Sequence, residues 1–136
     1  MTTRRQLLLV VAGLVAFPAL SACGSSSSGK NGDTLTVDEF ADRVGQDGVV
    51  VLDVRTPQEF AEGHLPGAKV IDIEAADFAG KIDALDKSAK HAVYCRTGRR
   101  SAAAIDHMVQ AGFTDVAHLE GGITAWQGAG KPVTQS

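Results

Sequence analysis

Val49-Val50-Val51-Leu52-Asp53-Val54-Arg55-Thr56-Pro57-Gln58-Glu59 decides the fold. Its first four residues form an apolar, mostly β-branched run with no polar alternation. That is the pattern of a strand buried on both faces. Thr56 and Glu59 then form a capping box, with Pro57 at the first helical position, so a helix begins soon after the strand ends. The same succession recurs on either side. Upstream, an extended piece at Leu35 runs into a second capping box, Thr36-Val37-Asp38-Glu39, which opens a helix through Arg43. Downstream, Gly63 and Pro66-Gly67 break the chain, and Lys69-Val70-Ile71-Asp72 reads as a short strand. Ala75 to Leu85 is predicted helical, although Gly80 weakens it. Ala92-Val93-Tyr94 is a third apolar strand, and Arg100 to Gln110 a helix ending near Gly112. Val116 to Leu119 is the last strand and Ile123 to Gln127 the last helix. Strands that alternate with helices need crossover connections, which give a parallel sheet covered on both faces. The expectation is one α/β domain over residues 33–133.

The 136 residues suffice for one domain and not two. A net charge of −3 gives no support for binding nucleic acid through charge. Five Phe, one Tyr and one Trp would supply an aromatic stacking platform poorly. The chain begins with Arg4 and Arg5, then an apolar run from Leu7 to Ala19 broken by Gly13 and Pro18. This is an export signal, too short for a comfortable membrane span. It ends in Leu20-Ser21-Ala22-Cys23, which resembles the bacterial lipoprotein cleavage box. That resemblance implies removal of residues 1–22 and lipidation of Cys23. Thr3-Arg4-Arg5-Gln6-Leu7-Leu8 also resembles a twin-arginine signal. The alternative is a plain cleaved signal in which Cys23 is incidental. Gly24 to Gly32, rich in Ser and Gly, reads as a tether holding the domain roughly 15–20 Å from its anchor. The protein is therefore expected outside the cytoplasm, attached to the membrane through Cys23, as a monomer.

Cys23 and Cys95 are the two cysteines. If Cys23 is acylated, Cys95 has no partner within the chain, which removes a structural disulfide and any cysteine-based zinc site. Cys95 opens the run Cys95-Arg96-Thr97-Gly98-Arg99-Arg100-Ser101, placed between a buried strand and a helix. In open α/β sheets ligands bind at that end of the strands. Loop and helix-start N–H groups and the helix dipole favour an anion there, so a thiolate would be stabilised and its pKa lowered. Arg96, Arg99 and Arg100 add positive charge, and Gly98 allows the dihedrals of a tight cradle. The plainer alternative is a packed core cysteine beside a solvated basic face. Three arginines and a glycine within five residues of the thiol count against it.

Four segments in register resemble the rhodanese family. They are Leu52-Asp53-Val54-Arg55-Thr56-Pro57 with Glu59-Phe60, then Gly63-His64-Leu65-Pro66-Gly67-Ala68, then Cys95 to Ser101. The fourth is Gly112-Phe113 with Leu119-Glu120-Gly121-Gly122 and Trp126. The resemblance covers about residues 34 to 130. It implies a five-stranded, mostly parallel sheet flanked by helices. It also implies a sulfurtransferase in which Cys95 accepts sulfane sulfur from a donor such as thiosulfate and passes it to cyanide or a thiol. The residues from Arg96 through Thr97, Gly98 and Arg99 to Arg100 would form the persulfide cradle, with Arg96 and Arg100 binding an anionic donor. Asp53 and Arg55 are placed in support or, equally, as an ion pair at a helix entry. His64 is assigned to turn packing, Trp126 to the core, and His91, His107 and His118 to structural or exposed positions. No metal or organic cofactor is needed for thiolate chemistry of this kind.

Two rival readings remain. Cysteine phosphatases and arsenate reductases resemble a cysteine, five intervening residues and an arginine; here Ser101 occupies the arginine position and Arg100 falls one place early. A non-catalytic, membrane-tethered module that binds or senses sulfur is the other, since a fold does not fix a function.

Overall fold

The computed structural model describes residues 31–136. The signal segment, Cys23 and most of the tether lie outside these residues. Five strands, β1 (Asp33–Leu35), β2 (Val50–Asp53), β3 (Lys69–Val70), β4 (His91–Tyr94) and β5 (Val116–Leu119), form one sheet in the order β1-β5-β4-β2-β3. Every pairing is parallel. Five helices complete the domain: α1 (Val37–Val44), α2 (Pro57–Glu62), α3 (Phe78–Asp83), α4 (Arg99–Gln110) and α5 (Gly122–Gly128).

Both predicted capping boxes form. Thr36 and Thr56 each accept from the backbone N–H of Glu39 and Glu59, and each glutamate accepts from the cap's own N–H. The predicted strand at Lys69–Asp72 is shorter, and the predicted helix at Ala75–Leu85 starts only at Phe78. The reason is local. Asp72 takes the N–H groups of Glu74 and Ala75 through its side chain and carbonyl, so this segment spends its hydrogen bonds on a turn. At the amino-terminal end, Asn31 joins the domain, bonding the Phe113 carbonyl and the Val116 N–H through its side chain. Gly32 N–H donates to the Val116 carbonyl.

The sheet separates two apolar layers. Leu52, Val54 and Val93 pack with Phe78, Ile82, Ala104, Ile105 and Met108 of α3 and α4 on one face. Leu35, Val51, Ala92, Tyr94 and Leu119 pack with Phe40 of α1 and with Ile123 and Trp126 of α5 on the other. Trp126 meets Phe40 edge-on, and its indole N–H donates to the Pro132 carbonyl at 2.8 Å.

The chain leaves β2 towards β3 on one side and leaves β4 towards β5 on the other. The carboxyl ends of β2 and β4 therefore border the crevice where such sheets bind ligands. A buried ionic network closes the β2 side. Asp53 accepts from the Arg55 backbone N–H, from Arg55 Nε and Nη2, and from the Tyr94 hydroxyl at 2.7 Å. Arg55 also donates to the Gly63 carbonyl, and Tyr94 accepts from Leu65 N–H. The pair thus ties β2, β4 and the turn before β3 together.

Removing one partner of a buried pair strands the other charge. Asp53→Ala should lower unfolding free energy by about 3–5 kcal/mol, and Tyr94→Phe by about 1.5–3 kcal/mol. Urea unfolding midpoints check both.

Candidate active site

Cys95 follows directly on β4 and is buried, with 1% of its surface exposed. The chain then turns sharply through Gly98, whose φ of 102° is left-handed, and enters α4 at Arg99. The Gly98 N–H points back to the Cys95 sulfur at 3.0 Å. Burial pushes the thiol pKa up. Hydrogen bonding to the Ser101 hydroxyl and to the backbone N–H groups of Ser101, Gly98 and Thr97 outweighs it, so the pKa falls below the ordinary thiol value. The loop is thus a cradle of donors converging on one sulfur at the start of a three-turn helix.

A second element sets the loop's orientation. At the start of α5, the N–H groups of Ile123 and Thr124 donate to the carbonyls of Cys95 (2.9 Å) and Arg96 (3.2 Å). With the Arg96 carbonyl turned to α5, the N–H of the same peptide unit, on Thr97, faces the sulfur. This approach leaves no room for a side chain at Gly122. A Cβ there would fall 2.4 Å from the Arg96 carbonyl carbon and oxygen, and φ is +58°.

The predicted site residues are not equally placed. Cys95, Thr97 and Gly98 come together as read. Arg96 and Arg99 are exposed, and among the described residues neither forms an ion pair. Arg100, expected at the anionic donor, is instead held by Glu59 of α2, with both guanidinium-to-carboxylate distances 2.8 Å. That pair spans the crevice from α2 to α4. Hydrogen bonds from Arg100, with lesser help from Thr56, hold the Glu59 carboxyl at about 2 against the push of partial burial. Asp53 and Arg55 form the ion pair already described. A cleft of about 310 Å³ opens beside the loop, lined by Arg96, Glu59, Glu62, Thr124 and Gln127 among others.

Three residues with a part in the site were not singled out in the sequence. In the sequence Glu59 is a cap within the first family-like segment, Ser101 closes the loop segment where a phosphatase has its arginine, and His118 is structural or exposed. No local signal pairs Glu59 with Arg100 or Ser101 with His118, because those partners lie 41 and 17 residues apart. His64 packs in its turn as expected, stacked on Phe60 at 3.6 Å and bonded to the Phe60 carbonyl. His91 is buried on the Ala89 carbonyl, and His107 leans on Phe78. Among the described residues no group of His, Cys, Asp and Glu could hold a metal.

The model of the Rhodanese-like domain matches residues 36–129. The chain belongs to the rhodanese-like family. It is 40% identical over 90 residues to the thiosulfate sulfurtransferase GlpE of Pseudomonas aeruginosa strain LESB58, covering 65% of this chain and 79% of that one. A rhodanese-related protein of Thermoplasma volcanium superposes with a TM-score of 0.68 at 31% identity, over 76% of this chain and 99% of the other. A Rhodopseudomonas palustris protein described as a possible tyrosine phosphatase superposes with a TM-score of 0.62 at 33% identity, over 75% and 84%. The rhodanese-like fold is thereby shared with a protein whose description names a different possible activity.

Two outcomes follow for this rhodanese-like site. Gly122→Ala must push the Cys95–Arg96 backbone away from α5; it should destabilise the domain by about 1–3 kcal/mol and move the pH midpoint of Cys95 alkylation upwards. Because the Glu59 pKa is lowered on folding, its contribution is present above about pH 4.5 and is lost as pH falls towards about 2. Wild-type protein should therefore lose more stability over that interval than Glu59→Gln, as read by urea unfolding at each pH.

Proposed function

We propose that the protein is a thiosulfate-type sulfurtransferase working through a persulfide on Cys95, and that it is held outside the cytoplasm by a lipid on Cys23. The observation that carries this reading is a buried sulfur ringed by backbone N–H groups with a lowered thiol pKa. A thiolate is the soft nucleophile that sulfur transfer needs. The Cys95 thiolate attacks the outer sulfur of thiosulfate. A new S–S bond forms, the S–S bond of thiosulfate breaks, and sulfite leaves with its electron pair. The terminal persulfide sulfur carries the negative charge, and the loop N–H groups stabilise it without having to reorganise. Cyanide or a thiolate then attacks that terminal sulfur. Thiocyanate or a new persulfide departs, and Cys95 is again a thiolate. The name carried by the Pseudomonas relative supports thiosulfate as the donor class.

Since Arg100 is committed to Glu59, the exposed Arg96 on the cleft is the cation that meets an anionic donor, with Arg99 nearby in sequence. Phosphate chemistry fits less well. The loop has Ser101 where a phosphatase carries its arginine, and the nearest arginine before it is neutralised by a carboxylate. The signal layout and Cys23 support the anchored, extracytoplasmic placement, with the protein acting as a monomer on small molecules. A tethered module that only stores sulfur is the second reading, favoured by nothing specific in the loop.

The test is intact mass before and after thiosulfate, followed by cyanide. Wild-type protein should gain one sulfur, about 32 Da, and release it as thiocyanate. Cys95→Ser should fold and do neither; sulfur gain by that variant would overturn the assignment. Stable gain with no release to cyanide or thiols would favour storage.

A further inference from the structure

The Ser101 hydroxyl stands where three partners converge. It lies 3.2 Å from the Gly98 carbonyl and 2.9 Å from Nδ1 of His118, and its hydroxyl is the foremost of the groups that lower the Cys95 thiol pKa. A hydroxyl has one proton to give and two lone pairs to accept with. If Nδ1 of His118 is bare, it competes with the sulfur for that proton. If Nδ1 carries the hydrogen, it donates to Ser101 Oγ instead, and only the Gly98 carbonyl remains as competitor. Hydrogen bonds to an anion are about twice as strong as neutral ones, so the sulfur then takes the proton.

The far side of the imidazole bears on which state holds. His118 is buried on β5, and its Nε2 lies 3.0 Å from Thr34 Oγ1. Thr34 is the residue paired with His118 across β1 and β5. The Thr34 side is exposed, so its hydroxyl can give its proton to Nε2 while water satisfies its lone pairs. Every N–H and O–H from Thr34 through His118 and Ser101 then points towards the sulfur, each polarising the next. The reverse orientation would turn the same dipoles away from the negative charge. Burial keeps the ring neutral, against the smaller upward pull of Asp106 on α4 and Glu120 after β5, so Nδ1 and Nε2 share a single hydrogen.

We infer that His118 is a positioning residue. Fixed by Thr34, it donates to the Ser101 hydroxyl and so aims that group's one proton at the Cys95 sulfur. The inference deepens the sulfur-transfer reading, but its test uses thiol reactivity alone, so failure of either is distinguishable from failure of the other.

The experiment is the pH dependence of iodoacetamide alkylation in the full chain carrying Cys23→Ser, so that Cys95 is its single thiol. Ser101→Ala and His118→Phe should each move the midpoint to higher pH and cut the thiolate fraction below it roughly three- to tenfold. The double variant should move it no further than Ser101→Ala alone. His118→Asn, whose amide nitrogen can stand near the position of Nδ1, should stay close to wild type. Should His118→Phe fail to fold, His118→Val carries the same comparison. A wild-type midpoint without the His118 ring overturns the inference. So does an equal shift from His118→Phe in the Ser101→Ala background, or a His118→Asn shift as large as that of His118→Phe.

Discussion

Two hydrogen bonds, from Ile123 and Thr124 to the carbonyls of Cys95 and Arg96, set the direction in which the cysteine loop faces. A peptide unit carries its N–H and C=O on opposite sides. Pinning the Arg96 carbonyl on α5 turns the Thr97 N–H to the sulfur, and Gly98 and Ser101 follow as the chain winds into α4. The start of a helix offers N–H groups with no intrahelical partner. Here α5 spends them on the loop, while α4 spends its own on the thiol. Two helix starts thus meet at one short loop, one orienting the backbone and the other receiving the charge.

Charge is arranged around this point with economy. The basic residues of the loop do not act as a block. Arg100 is neutralised by Glu59, and the pair bridges α2 and α4 over the crevice. Arg55 is sunk against Asp53, with only 5% of its surface exposed. What lowers the thiol pKa is therefore the Ser101 hydroxyl together with the oriented backbone N–H groups, which the fold fixes and which need no reorganisation. The exposed Arg96 and Arg99 are left for whatever arrives from solvent.

The fold alone does not set the charge around the cradle. The sheet, the crevice and the cradle of N–H groups suit an anionic sulfur, but the charge beyond it depends on single positions such as Ser101 and Glu59. In this chain Ser101 is tied to β5 through His118, so the residue after the loop belongs to the cradle and not to an outer ring of cations.

Much of this was legible in the amino-acid sequence. The apolar runs at Val49–Leu52 and Ala92–Tyr94, the two capping boxes and the alternation of strand with helix specify a parallel α/β sheet, because these signals depend on neighbours within one or two turns. The thiol, its glycine and the strand-to-helix loop were equally plain, since the cradle is built from seven consecutive residues. The partners of Arg100 and Ser101 were not. Glu59 lies 41 residues before Arg100, and His118 lies 17 residues after Ser101. Gly122, which docks on the loop, opens α5. The sequence determined which elements form and where the thiol sits. Only the tertiary structure decided which cation is free, which hydroxyl is aimed and which way the loop faces, because those depend on distances between segments that meet only when the sheet assembles.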